Sequence, residues 1–156
     1  MSGLRSAGLL PFRIRDGIEV MLAHPGGPFF SRRDDGWWSL VKGLVKEGES
    51  DEEAARREFL EETGWPVPEG IWAPLGETQL KSRKIVVAWA LEADLDPAAL
   101  VPGHFMMGDR SYPEIDRVEW FDADRARTKL NLAQAIFVQR LELHIQDFIE
   151  RRKDRV

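Results

Sequence analysis

The sequence predicts an α/β sandwich with a mixed β-sheet. Six segments with strand-like apolar patterns are interleaved with two segments that carry helix-capping signals, an arrangement typical of this class. With 156 residues, 43% of them hydrophobic, the chain is long enough to bury a sizeable core. No internal repeat or linker-like stretch divides it, so we expect one domain over residues 1–156.

The first three strands are predicted around one turn and one loop. SAGLLPFRI and GIEVMLAH flank Asp16-Gly17, a dipeptide typical of tight hairpin turns. Residues 25–36 are rich in Gly, Pro and charge, and are therefore expected to form a loop. WWSLV then predicts a short strand that leads into Gly43.

Capping signals place the first helix over residues 51–63. Ser50 and Glu53 form a capping-box pair, and Gly64 followed by Pro66 marks the end of the helix. A helix that begins and ends with its own signals should form with these bounds whatever packs on it.

The second half of the chain predicts three more strands and one more helix. IWAPLGETQL, KIVVAWALEADL and RVEWFD have strand patterns, and residues 96–116 have loop composition with one helical turn at 97–100. Asn131 and Gln134 form a second capping-box pair, which opens a C-terminal helix. Its core-facing stripe consists of Phe137, Leu141, Ile145 and Phe148.

Composition restricts the partners. The net charge of −5 and the pI near 5.3 disfavour electrostatic binding to nucleic acid or to an anionic membrane. No run approaches the roughly 20 apolar residues that a membrane helix needs. The chain has no cysteine, which excludes disulfides, thiolate metal sites and a cysteine nucleophile. We expect a cytoplasmic protein that can bind phosphate groups only if cations lie between them and its carboxylates.

The most unusual stretch is GLVKEGESDEEAARREFLEETGW, residues 43–65, which contains eight acidic side chains. The helix dipole favours those in the first turn. Glu58, Glu61 and Glu62 stand instead at i, i+3 and i+4 near the end of the helix, where three carboxylates on one side are unfavourable unless a cation lies among them. All-oxygen ligands suit Mg²⁺ or Mn²⁺. The alternative is a solvated acidic face balanced by neighbouring arginines.

The spacing of the whole stretch resembles the Nudix hydrolase signature, G-x5-E-x7-R-E-U-x-E-E-x-G-U, in which U is a bulky apolar residue. From average composition, a chance match at a given start is on the order of 10⁻⁸. Trp65, at the final apolar position, is bulkier than usual. The strand order also resembles the Nudix α/β/α sandwich. All seven fixed residue types are present: Gly43, Glu49, Arg57, Glu58, Glu61, Glu62 and Gly64.

The resemblance implies a metal-dependent pyrophosphohydrolase, in which water attacks phosphorus in a nucleoside diphosphate linked to another moiety. Arg57 would hold a carboxylate in place, with Glu49 as its partner. The implied metal site would bind Mg²⁺ or Mn²⁺ through Glu58, Glu61, Glu62 and the backbone carbonyl of Gly43.

The general base is left open. Family members commonly use a glutamate of the signature or one from a later loop. The candidates here are Glu61, Glu62 and Glu114, and Asp116 is a second loop acid. The alternative for Glu114 is that it is an ordinary loop acid.

The substrate is predicted from features outside the signature. WWSLVKG resembles the W-S-x-P-K-G motif of diadenosine polyphosphate and diphosphoinositol hydrolases, with valine replacing proline, which would place Lys42 near the phosphates. Alternation along a strand sends Trp37 and Trp38 to opposite faces, and we assign Trp38 to stacking on a base. KSRK places Lys81 and Arg83 between two strands, where they would bind a polyphosphate or form a solvated turn.

We therefore expect a small-molecule nucleotide or polyphosphate as substrate. The rival hypothesis is a Nudix-fold module that binds a nucleotide or regulates without catalysis. Degenerate signature carboxylates would mark such a module, and here all are intact. The apolar C-terminal helix could form a homodimer interface, as Nudix proteins often do, or pack only on its own core.

Overall fold

The computed structural model describes residues 4–153, with side chains described as far as residue 147. Two 3-10 turns lie at Pro97–Ala99 and Leu132–Gln134. The helices are α1 (Asp51–Thr63), α2 (Ala123–Lys129) and α3 (Ala135–Lys153). The strands are β1 (Arg5–Ile14), β2 (Ile18–Pro25), β3 (Val41–Leu44), β4 (Ala73–Gln79), β5 (Ile85–Glu92), β6 (His104–Met107), β7 (Arg110–Pro113) and β8 (Ile115–Asp122).

Strand β1 lies inside a six-stranded sheet with the order β4-β5-β1-β2-β8, and β3 also pairs with β1. Along one edge β1 runs parallel to β5, and its other pairings are antiparallel. The opposite edge of β1 is shared by two strands: its residues 6–9 pair with β3, and its residues 12–14 pair with β2. The sheet is therefore mixed, as predicted, and β2 and β3 must diverge between these two pairings.

Helices cover both faces of the sheet. On one face α1 packs through Ala54, Ala55 and Phe59, and on the other α2 and α3 pack over the side chains of Leu10 and Phe12. This is the predicted α/β/α sandwich. The α3 residues Phe137, Leu141 and Ile145 are buried as expected, while Phe148 lies outside the residues whose side chains the structure describes.

Helix α1 has the bounds that its capping signals predict. The Ser50 side chain accepts a hydrogen bond from the Glu53 N–H at 3.1 Å. Gly64 adopts the left-handed conformation, with φ of 77°, and its N–H bonds the Leu60 carbonyl at 2.8 Å. Because glycine reaches this conformation without steric cost, the chain leaves the helix at this point.

Three local predictions are corrected. The predicted loop contains the β6–β7 hairpin, whose turn at Gly108 has a positive φ of 66°. The short polar helix α2, capped by Asp122, has no apolar stripe long enough to indicate it. Gln134 does not cap a helix, because its buried side chain accepts hydrogen bonds from Leu40 N–H and the Ser39 hydroxyl. Instead, Asn131 caps the 3-10 turn before α3.

Within the described range, none of the helices combines the length and the apolar character needed to cross a membrane.

Candidate active site

Helix α1 places its three clustered carboxylates on the wall of one open cavity. Glu58, Glu61 and Glu62 line this cavity, whose volume is about 530 Å³, and Glu114 joins them from the segment that precedes β8. The remaining lining residues are Gly43, Leu44, Gly103 and His104. The helix spacing therefore brings the signature carboxylates together, and the fold adds a fourth from a distant part of the chain.

The carboxylates repel one another. Burial, followed by the charges of Glu58 and Glu114, raises the pKa of Glu62 to about 8, against the opposing effect of Lys42. Burial, followed by the charges of Glu58 and Glu61, raises the pKa of Glu114 above its usual value. The cavity is therefore a site where added positive charge is favoured.

Arg57 joins the loop before α1 to the helix. It forms a bidentate pair with Glu49, with Nε at 2.8 Å from Oε2 and Nη2 at 2.9 Å from Oε1. Its Nη1 donates to Glu58 at 2.8 Å and to Glu61 at 3.2 Å, and Nη2 also donates to the Leu44 carbonyl at 2.9 Å. The hydrogen bonds from Arg57 hold the pKa of Glu49 at about 2. Glu49 is thus the partner expected for Arg57, and one guanidinium orients three carboxylates.

Gly43 is required by the position of Glu58. A methyl group on Gly43 would overlap the Glu58 carboxyl group, so only glycine lets that carboxylate lie against the backbone of β3. The Gly43 residue also lines the cavity, beside the three carboxylates of α1.

The donors suit a hard divalent cation, because they are carboxylate and carbonyl oxygens around an open space. In the described part of the chain, no three acidic or histidine side chains are yet grouped closely enough to hold an ion. Two of the three helix carboxylates, those of Glu58 and Glu61, accept hydrogen bonds from Arg57 instead. A cation would therefore compete with Arg57 for Glu61, whose side chain is 53% exposed.

A smaller cavity of about 120 Å³ lies between the ends of β2 and β3 and shares Glu62 and Glu114 with the larger one. Lys42 and His24 also line it. Burial and the nearby charge of Lys84 lower the pKa of Lys42, while Glu62 and Glu58 act in the opposite direction. The structure thus places the cation of Lys42 beside the carboxylates.

The other predicted substrate contacts do not reach these cavities. The stacking role assigned to Trp38 is wrong, because its ring is 1% exposed and packs in the core between His24 and Phe121. The strand predicted over WWSLV begins only at Val41, and the tryptophan at the surface is Trp37, which lies in a turn and is 43% exposed. Lys81 and Arg83 lie on the exposed β4–β5 turn and line neither cavity.

Asp116, the second loop acid, is engaged elsewhere. Both of its carboxylate oxygens bond His24 Nδ1, at 2.9 and 3.0 Å, and Arg117 lies 3.4 Å from Oδ1. Three lining residues of the larger cavity are not predicted from the sequence, namely Leu44 beside Gly43 and the pair Gly103 and His104. This pair lies about 40 positions from α1 in a segment with loop composition, and only the glycine between Pro102 and a histidine hints at a close approach.

Comparisons with known proteins agree with this architecture. A C. elegans Ap4A hydrolase binary complex is 20% identical, with a TM-score of 0.68 over 91% of this chain and 98% of that chain. The NUDIX domain of Shewanella oneidensis NrtR, complexed with ADP ribose, is 17% identical, with a TM-score of 0.65 over 93% and 90% of the chains. A MutT/Nudix family protein from Listeria innocua is 15% identical, with a TM-score of 0.66 over 96% and 98%.

At such low sequence identity, these structural similarities show a shared fold. No curated protein matches the sequence significantly. The NUDIX domain family, however, matches residues 5–141, which include every strand of the sheet and every signature position. The chain therefore belongs to the Nudix family.

Proposed function

We propose that the chain is a divalent-metal-dependent pyrophosphohydrolase that cleaves a diphosphate bond in a nucleoside polyphosphate or a nucleotide conjugate. The observation that carries this proposal is the crowding of four carboxylates, those of Glu58, Glu61, Glu62 and Glu114, around one open cavity. Burial and mutual repulsion raise the pKa of two of them. Such an arrangement is costly by itself and becomes favourable when a cation binds among the oxygens.

In this proposal Glu58, Glu61 and Glu62, with the Gly43 carbonyl, hold Mg²⁺ or Mn²⁺. A bound ion of this kind neutralises the charge of a diphosphate and lowers the pKa of a bound water. Arg57 keeps the carboxylates in place through its hydrogen bonds to Glu58 and Glu61.

Glu114 is the best candidate for the general base. Its carboxylate lines the cavity, and its pKa is raised towards neutrality. No hydrogen bond from another described residue engages that carboxylate, whereas Asp116 is held by His24. As the water oxygen forms its bond to phosphorus, the bridging P–O bond breaks and the water proton passes to Glu114.

The expected substrate is a small nucleotide rather than a nucleic acid. Lys42 lines the smaller cavity, which shares Glu62 and Glu114 with the larger one, and from there it can contact a phosphate beyond the ion. The Ap4A hydrolase and the ADP ribose complex among the structural neighbours support a substrate in which a diphosphate joins a nucleoside to a second group. The net charge of −5 disfavours a long polyanion, since a single cation site would neutralise only a short phosphate chain.

The proposal is tested by a phosphate-release screen with Mg²⁺ or Mn²⁺. The substrates are nucleoside triphosphates, dinucleoside polyphosphates, nucleotide sugars and diphosphoinositols, each with and without an added phosphatase that exposes products ending in a phosphate group. Turnover of one class should require metal and fall by about 100-fold or more in Glu62→Gln, which removes a negative ligand without changing shape. If no class is hydrolysed while Mn²⁺ still binds, the chain is instead a nucleotide-binding module.

A further inference from the structure

His24 is completely buried, yet both of its ring nitrogens have hydrogen-bond partners. Nδ1 bonds the two carboxylate oxygens of Asp116 at 2.9 and 3.0 Å, and Nε2 bonds the Arg33 carbonyl oxygen at 2.6 Å. The ring also packs edge-on against Trp38, with centroids 5.0 Å apart. A buried imidazole is tolerated only when its polar atoms are paired, so this position demands histidine for its bonds rather than for its volume.

Asp116 occupies an irregularity in the pairing of β2 and β8. His24 pairs with Arg117, and Pro25 pairs with Ile115, so that Asp116 is the additional residue of a β-bulge. A bulge turns a side chain away from its regular direction, and bulges are common beside active sites. Here the turned side chain is the one that His24 binds, two residues after Glu114.

The backbone of Glu114 is held on both sides. Its carbonyl accepts a hydrogen bond from Gly26 N–H at 3.0 Å, and its N–H donates to the Gly103 carbonyl at 2.8 Å. A methyl group on Gly26 would overlap the Pro113 carbonyl oxygen, so this close approach requires glycine. The segment between β7 and β8 is thus fixed from two other parts of the chain.

We propose that His24 and Asp116 are positioning residues, whose hydrogen-bonded pair fixes the bulge in β8 and thereby holds the Glu114 carboxylate at the catalytic cavity. This inference rests on the proposed function, in which Glu114 accepts a proton from water. His24 and Glu114 line the same small cavity, so one member of the pair lies beside the glutamate that the pair positions. A general base works efficiently only within hydrogen-bond reach of the proton that it accepts. Residues that fix the position of Glu114 would therefore increase the rate.

The chain offers a control in Asp34. It lies in the loop of residues 25–36, next to Arg33, whose carbonyl His24 bonds, and it has no hydrogen bond to the Glu114 segment. Its carboxylate accepts hydrogen bonds from Trp38 Nε1 at 2.8 Å and from Lys129 Nζ at 2.7 Å. Asp34→Asn removes charge from these two contacts of the loop and leaves the His24–Asp116 hydrogen bonds unchanged. It should leave Glu114 in place.

The first test is a double-mutant cycle on the substrate found in the screen. His24→Gln and Asp116→Asn should each lower kcat by about tenfold or more with KM within about twofold, because they misalign a base and not a binding group. In a Glu114→Gln background the same changes should have no further effect on kcat, whereas Asp34→Asn should be neutral in both backgrounds. Equal losses with and without Glu114 would overturn the proposal, since His24 would then act through the fold alone.

The second test needs no activity. Amide hydrogen exchange at Gly26 and Glu114 should accelerate in His24→Gln and in Asp116→Asn, and should stay at the wild-type rate in Asp34→Asn. Unchanged exchange in both folded variants would overturn the proposal whatever their turnover. Accelerated exchange in a protein that hydrolyses nothing would support the clamp on Glu114 and refute only the enzymatic function. If His24→Gln fails to fold, Asp116→Asn gives the same comparison, because it keeps the shape of the side chain.

Discussion

Glu62→Gln should stabilise the metal-free protein at alkaline pH, although it removes a residue of the site. Folding raises the pKa of Glu62 from 4.5 to about 8, mainly through burial and then through Glu58 and Glu114. Because the folded state binds the proton more tightly, the stability gained is complete below pH 4.5 and is lost as the pH rises through about 8. This difference corresponds to at most ~5 kcal/mol. Since the side chain is only partly buried, screening reduces the expected effect to roughly 2–4 kcal/mol.

The assay is urea denaturation in EDTA at pH 5 and pH 9. At pH 9 the variant should be the more stable protein by roughly 2–4 kcal/mol, and at pH 5 the two should be nearly equal because protonated glutamate and glutamine have the same shape. Glu52→Gln, at an exposed position in the first turn of α1, is the control and should change stability by less than about 0.5 kcal/mol at either pH. Added Mg²⁺ should stabilise the wild type more than Glu62→Gln. If Glu62→Gln raised the free energy of unfolding equally at both pH values, or did not raise it at pH 9, the electrostatic reasoning would be refuted.

Three further substitutions have definite expected outcomes. Gly43→Ala should lower the Mn²⁺ affinity, measured by calorimetry, by at least about tenfold, because the added methyl group displaces the Glu58 carboxylate. The circular dichroism spectrum should stay unchanged. Trp38→Ala should cost about 3–5 kcal/mol in chemical denaturation, whereas Trp37→Ala should cost less than about 1 kcal/mol; equal costs would contradict the assignment of the core tryptophan. Lys42→Ala should raise KM for a polyphosphate substrate several-fold, as steady-state kinetics will show, while Lys81→Ala on the exposed turn leaves KM unchanged.

The parts of the site that are local in sequence could be predicted, because helix geometry fixes them. Once Ser50 and Gly64 set the bounds of α1, a period of 3.6 residues places its three carboxylates on one side without reference to the rest of the chain. The pairing of Arg57 with Glu49 is implied by the resemblance to the Nudix signature and not by helix geometry, because Glu49 lies in the loop before α1. Apolar periodicity also predicts the sheet, although not the exact ends of its strands.

The remaining features depend on packing between distant segments. Strand alternation predicts opposite faces for Trp37 and Trp38, but it does not indicate which face is the core. Trp38 is buried because distant segments bring His24 and Phe121 against its ring. The contribution of Gly103 to the cavity depends on its approach to α1, where an added methyl carbon would lie 2.7 Å from the Glu61 carbonyl oxygen. Helix α2 and the β6–β7 hairpin are short and polar, so no apolar pattern indicates them.

The smaller cavity beside the carboxylates reflects the way in which β1 shares one edge between two strands. Residues 6–9 of β1 pair with β3 and residues 12–14 pair with β2, and an isolated bridge between Ala23 and Ser39 joins β2 to the residues before β3. The smaller cavity opens between these diverging strands, and it is there that Lys42 from β3 meets Glu62 from α1. β8 pairs along the outer edge of β2, which brings Glu114 to the same opening from the far side. The signature therefore supplies three of the carboxylates, and the strands that β1 pairs with bring Lys42 and Glu114 to them from other parts of the chain.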